Sequence, residues 1–195
     1  MTDIIKWLII CLSVSWAGPY QPESVRDWNI LEENAVWIGW INDGGFPWCK
    51  AKSVIQAPLK SIMEILEDQA NYPKVFERVE STVILGDGVV LVSLDMPFPF
   101  SSRDYVVKYT QRKSGSDIIY SFHSVTHADA PERVGFVRLI NAAGEWRLHP
   151  LNKNETEVSY IWNGELLGDF PDWALTRAWV TQGSEVMDWL ATAVQ

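Results

Sequence analysis

The amino-acid sequence predicts an α+β fold built on one curved antiparallel sheet, and three features of its 195 residues do so. Strand-like segments dominate the middle of the chain on short, turn-rich connectors, which suit antiparallel neighbours. The helical segments are segregated, two short ones near the start and one long one at the end. A sheet of so many strands curls, and only the last helix is long enough to cover its concave face.

Residues 1–17, MTDIIKWLIICLSVSWA, precede this pattern. Lys6 stands before an apolar run from Trp7 to Trp16, and the small residues Ser15 and Ala17 occupy the −3 and −1 positions of a cut before Gly18. The segment reads as a secretory signal peptide and is too short for a comfortable transmembrane span. Residues 18–195 are then one domain in a periplasmic or secreted protein. The alternative is a retained N-terminal helix packed on the domain of a cytoplasmic one.

Residues 35–41 (AVWIGWI) form the first expected strand, Asn42-Asp43-Gly44-Gly45 the turn, and residues 48–55 the returning strand. Pro58 opens a helix over 59–68, with apolar Leu59, Ile62, Met63, Ile65 and Leu66 at helical spacing. Asn71-Tyr72-Pro73 starts another short helix, expected to run to Val79. Residues 81–85 and 89–95 flank Gly86-Asp87-Gly88, a hairpin signature. Strands are expected next at 104–112, 118–126, 135–141, 145–152 and 157–165.

The final helix runs from Pro171 or Asp172 to Ala193. Leu175, Trp179, Val186 and Leu190 share one face, and Trp173, Val180 and Met187 widen it. Gly183 interrupts the run and weakens the helix by about 1 kcal/mol relative to Ala. It is expected either to permit a bend or to sit as a tolerated glycine in an ordinary core helix.

Composition narrows the function. With 47% apolar and 21% charged residues the chain is globular, and a net charge of −9 excludes the clustered basic footprint of a nucleic-acid binder. Two cysteines, Cys11 and Cys49, cannot build a disulfide framework or a four-thiolate zinc site. His123 and His127 are four apart on a strand or its exit, about 13 Å, too far to share a metal ion. No nucleophile elbow, Walker loop or dinucleotide-binding glycine motif is present, so no catalytic residue, metal or cofactor is expected. Eleven Trp, six Tyr and seven Phe are many; such side chains fill cores, cavity walls and interfaces.

Several segments together resemble a known family. Pro97-Phe98-Pro99-Phe100-Ser101-Ser102-Arg103-Asp104-Tyr105-Val106 resembles the P-x-P-x-x-x-R-D-[YF]-V segment of START domains, the steroidogenic-acute-regulatory-protein-related lipid-transfer family. Gly135-Phe136-Val137-Arg138 resembles its G-x-[VI]-R strand, and Trp146 to Leu151 the strand after it. Residues 156–161, Gly168, Pro171 and Trp173 resemble the last strand, the glycine loop and the start of the terminal helix, and residues 28–40 the opening segment. The resemblance covers residues 25–193. It implies a helix-grip fold of the Bet v 1-like superfamily, in which the sheet wraps the long helix around a lipid-sized tunnel. A buried arginine common in phosphatidylcholine and sterol binders of the family is replaced here by Tyr109, and the acid of the sterol-binding branch by Val90. Both losses imply a less ionic cavity.

The expected function is to bind or transfer one hydrophobic small molecule, with transient membrane contact. Burying apolar surface gives about 0.8 kcal/mol per CH2, so a sixteen-carbon chain is worth roughly 12 kcal/mol gross. Strand alternation and the helix face nominate Tyr109, His123, Arg138, Trp146, Tyr160, Trp162, Trp173 and Trp179 as wall residues. Arg103 and Asp104 are expected to fix their turn by charge-assisted hydrogen bonds rather than to hold a head group. Two other readings are open. A polyketide aromatase/cyclase would use Tyr109, His123 or Arg138 as acid–base or orienting groups. An interaction module would have its interior filled by its own rings.

Overall fold

The computed structural model describes residues 27–195. The expected leader, with Cys11, lies outside them. β1 (Asn29–Glu33), β2 (Trp37–Asp43) and β3 (Phe46–Ile55) make an antiparallel meander. α1 (Leu59–Glu67), a 3-10 turn at Gln69–Asn71 and α2 (Tyr72–Val75) follow. Seven strands come next: β4 (Val79–Gly86), β5 (Val89–Leu94), β6 (Ser102–Ser114), β7 (Asp117–Ser124), β8 (Phe136–Arg138), β9 (Ala143–Asn152) and β10 (Glu155–Asn163). A 3-10 turn at Asp172–Ala174 leads into α3 (Leu175–Ala193).

The strands lie in the order β1-β2-β3-β10-β9-β7-β6-β5-β4, with β8 paired to β6 off that path. The last strand therefore joins the first meander: β10 pairs with β3 from Thr156 opposite Ile55 to Asn163 opposite Trp48. α1 and α2 carry the chain from β3 to β4 at the far edge. The result is the expected α+β architecture, a large curved antiparallel sheet with a long C-terminal helix.

Three local expectations are corrected. β1 adds an edge strand ahead of the first expected one. The second helix stops at Val75, because Phe76 takes an extended backbone (φ −104, ψ 102), and Val79 already belongs to β4. The expected strand at 135–141 shrinks to three residues, and these pair parallel with β6, Arg103 opposite Val137 and Asp104 opposite Arg138. β6 thus divides its edge, its first residues holding β8 and residues 107–114 holding β7.

α3 is continuous through Gly183, which is buried. Buried Trp179, Gly183, Met187 and Leu190 form its stripe toward the sheet. A Cβ at Gly183 would lie 3.1 Å from Ile38 Cδ1, 3.2 Å from Ala51 Cβ and 3.3 Å from Trp162 Cη2. The missing side chain lets the helix settle onto β2, β3 and β10. The core there is aliphatic, with Ile38, Ala51, Ile62, Leu66, Leu148, Val158 and Leu190 buried.

Candidate functional site

On its other flank α3 stands away from the sheet. A cavity of about 440 Å³ lies between its outer face, the concave faces of β6, β7, β9 and β10, and α2. That volume is within the roughly 300–1,000 Å³ usual for small-molecule sites. At interior packing density it holds about 330 Å³ of atoms, the scale of one acyl chain or a compact ring system. The interior is thus not plugged by the chain's own rings, and the reading as a filled module is set aside.

The wall is built from alternate residues of each strand. Tyr105 and Tyr109 come from β6, Phe122 from β7, Trp146 from β9, and Tyr160 and Trp162 from β10. Register brings them together: Tyr109 lies opposite Phe122, and Trp146 opposite Tyr160. Tyr160 is sandwiched, its ring 4.2 Å from Trp146 at 22° and 4.9 Å from Trp162 at 14°. Phe122 packs tilted against Tyr109 at 5.6 Å, and Phe76 of the α2 exit likewise against Trp146 at 6.2 Å. Such ring pairs add stability beyond area burial and hold one another in place.

The tyrosines are held un-ionised. Burial raises the phenol pKa of Tyr72, Tyr105, Tyr109 and Tyr160 well above the usual range, and neighbouring tyrosines push those of Tyr72, Tyr109 and Tyr160 further. The Tyr72 hydroxyl donates to the Leu66 carbonyl at 2.8 Å. Beyond the cavity lining the Tyr120 hydroxyl donates to Glu67 Oε1 at 2.6 Å, tying α1 to β7.

Charge is confined to the mouth. Arg78, just before β4, makes a two-pronged pair with Glu185 of α3, at 2.5 and 2.8 Å. Asn141 donates to Glu165 at 2.8 Å. Arg177 is exposed on the first turn of α3. Two loops complete the rim: residues 96–100, with Met96, Pro97 and Phe100, and residues 164–171, with Leu166, Leu167 and Phe170. Phe100 packs on Phe170 at 4.6 Å. Phe98 (98% exposed), on the first loop, and Trp173 (85%), in the 3-10 turn that follows the second, project into solvent.

Arg103 joins the two loops. It is fully buried, and its guanidinium donates to the carbonyls of Leu166 (3.0 Å), Leu167 (2.9 Å) and Ser101, and to Asp169 Oδ1 (2.9 Å). Asp169 in turn accepts from the Ser101 N–H at 3.1 Å. Buried Asp104 faces Arg138, at 2.6 and 3.1 Å, and Arg133 at 3.3 Å. The expected structural role is therefore wider than one turn: Arg103 ties loop to loop, and Asp104 ties β6 to β8.

Of the eight nominated wall residues, Tyr109, Trp146, Tyr160 and Trp162 line the interior, and Trp173 borders only the mouth, its side chain exposed. Three lie elsewhere, which corrects the sequence expectation. His123 neighbours Phe122 on β7, so alternation turns it to the opposite face. Arg138 is drawn to Asp104 by the parallel register of β8 on β6. Trp179 belongs to the helix stripe against the sheet, packed tilted against Trp40 at 5.2 Å, its indole N–H donating 2.8 Å to the Gly164 carbonyl. Sequence reading did not nominate Tyr72, Phe76, Tyr105, Phe122 or Trp189. Tyr105 shares Tyr109's alternation, but Phe122 needed the register with Tyr109. Among the described residues no group of His, Cys, Asp and Glu is placed to hold a metal ion. Burial raises the Cys49 thiol pKa well above its usual value.

Comparison with known proteins agrees with this geometry. An uncharacterised protein of Pseudomonas aeruginosa is 24% identical over 180 residues, 89% of this chain and 88% of that one. A fragment of a STAR-related lipid transfer protein from Xanthomonas axonopodis has the same fold, with a TM-score of 0.74 at 20% identity, covering 86% of this chain and 98% of that one. Human StAR-related lipid transfer protein 5 superposes with a TM-score of 0.76 at 20% identity, covering 86% of each. The START domain model matches residues 19–192, almost the entire sequence, and the protein belongs to the START domain family.

Proposed function

We propose that the protein holds one hydrophobic small molecule in the cavity beneath α3 and carries it without chemical change. The observation that carries this is the cavity itself, about 440 Å³ walled by aromatic rings with charge only at its mouth. The START fold, typical of lipid-binding proteins, supports it. The groups that a cyclase reading would need are dispersed: Tyr109 lines the cavity, His123 faces away from it, and Arg138 is engaged by Asp104.

Passage in and out runs through the mouth in this reading, with α3 and the two loops as the moving parts. The Arg78–Glu185 pair latches α3 to the start of β4. Phe98 and Trp173, exposed at the rim, are wedges for a bilayer surface. Asp95, Glu165, Asp169 and Asp172 flank them, so the surface that suits the rim is a zwitterionic bilayer rather than an anionic one. Residues 1–17 support export to the periplasm or medium, which fractionation of the expressed protein checks.

Native mass spectrometry of the gently purified protein tests the central reading, with Ala178→Trp as the comparison. Ala178 lines the cavity from α3. A hydrophobic mass bound one per chain in the parent, and absent from a folded Ala178→Trp variant, is the expected result. An empty parent that takes up no lipid from a total lipid extract overturns the reading.

A further inference from the structure

Within the binding reading above, the interior specifies which end of a ligand it takes. Tyr160 has a Trp on each face, so only its ring edge, which carries the hydroxyl, is left to meet the cavity. Tyr105 lines the same space from β6. Among the described residues neither hydroxyl makes a hydrogen bond, whereas Tyr72 donates to Leu66. Two neutral O–H groups therefore face a mostly apolar interior, and two further neutral donors of the same lining, Trp162 Nε1 and Asn163 Nδ2, are buried without a partner. Among the described residues the cations of the lining are Arg78 and Arg177, both at the mouth, the former committed to Glu185.

We propose that the ligand enters polar end first and presents an uncharged oxygen, such as an ester, ketone or hydroxyl, to the Tyr160 and Tyr105 phenols, and that phosphate and carboxylate head groups are excluded from this end. An alkyl chain lying there leaves each hydroxyl unsatisfied, and a buried unsatisfied group weakens binding about 5- to 150-fold. A phosphate or carboxylate accepts the same two hydrogen bonds but brings its charge into an interior with no counterion, which costs more. A neutral acceptor satisfies both hydroxyls and brings no charge. The phenols cannot supply a negative charge either, since burial keeps them protonated.

A chain-matched probe set isolates this chemistry: methyl palmitate, hexadecanol, hexadecane, palmitate and hexadecyl phosphate, each titrated against the full protein by tryptophan fluorescence and competed pairwise in native mass spectrometry. The inference expects methyl palmitate and hexadecanol to bind at least tenfold tighter than palmitate and hexadecyl phosphate. Tyr160→Phe and Tyr105→Phe keep the rings and remove only the oxygens. Each is expected to weaken methyl palmitate about 2- to 12-fold, the range of one neutral hydrogen bond, without weakening hexadecane. Hexadecyl phosphate binding as tightly as the neutral probes, or unchanged methyl palmitate affinity in both variants, overturns the inference while leaving the binding reading intact. Failure of all five probes to bind overturns both.

Discussion

Removing the Arg103 side chain separates a structural from a ligand-holding role for the motif arginine. In Arg103→Ala the carbonyls of Leu166 and Leu167 lose donors at 3.0 and 2.9 Å, and the fully buried stem leaves a void. Those residues are half-buried, so each carbonyl is placed near the low end of the cost of an unsatisfied group, about 1 kcal/mol apiece. The lost packing adds about 2 kcal/mol. The sum is about 4 kcal/mol, and at this chain length 1 kcal/mol moves Tm by about 2–4 °C, which places the loss at about 8–16 °C. Arg103→Lys keeps the charge but not the planar fork and is expected to lose about half of that. Near-ultraviolet circular dichroism on heating measures both. An Arg103→Ala protein melting within 2 °C of the parent, yet unable to bind ligand, refutes the reasoning and moves Arg103 into the binding site.

Four further outcomes are expected. Gly183→Ala should be close to neutral, because about 1 kcal/mol of gained helix propensity offsets contacts tightened to 3.1–3.3 Å. Gly183→Val overpacks the same contact and should cost about 1–3 kcal/mol in chemical denaturation. Asp169 has its pKa lowered by the Ser101 backbone N–H and by Arg103; for Asp117 burial acts upward but is outweighed by His149 (2.7 Å) and Arg147. Folded values below the unfolded ones give stability that is full above about pH 4 and is lost as pH falls through the folded values, so Asp169→Asn and Asp117→Asn should each flatten the acid limb of a stability–pH profile. The double variant of Phe98→Ser and Trp173→Ser should lower co-sedimentation with phosphatidylcholine vesicles several-fold at unchanged Tm; equal sedimentation removes the rim from the membrane reading.

Much of this architecture was legible because it depends on local pattern. Period-2 alternation put Tyr105 with Tyr109 and Tyr160 with Trp162, and the turn formers located most of the strands. What was hidden depends on pairings between distant segments. Alternation says that Phe122 and His123 oppose each other, but not which is inside; the register of Tyr109 on Phe122 decides that. A short connector favours an antiparallel neighbour, yet β8 pairs parallel with β6, where its Arg138 meets buried Asp104. On α3, successive side chains are about 100° apart, so a wide apolar arc does not show that Trp179 meets the sheet while Val186 meets the cavity.

That last division explains why the cavity stays open. Apolar side chains attract a helix over its whole face, and a uniformly packed groove would close. Here the two flanks differ in the size of what they present. On one side Gly183 meets Ala51 and Ile38, and Gly164 leaves room for Trp179 over Cys49, so the helix comes down close. On the other side the helix faces Tyr109, Phe122, Trp146 and Tyr160, rings that already stack on one another and cannot fold into the gap without breaking those contacts. β7 is braced against α1 by Tyr120 on Glu67, and the mouth by Arg103 across its two loops. Small residues set where the helix touches the sheet, and stacked rings set where it cannot. The hollow is therefore a product of packing on both sides of it, which is why overpacking by Gly183→Val, against the Trp162 that stacks on Tyr160, should alter ligand capacity as well as stability.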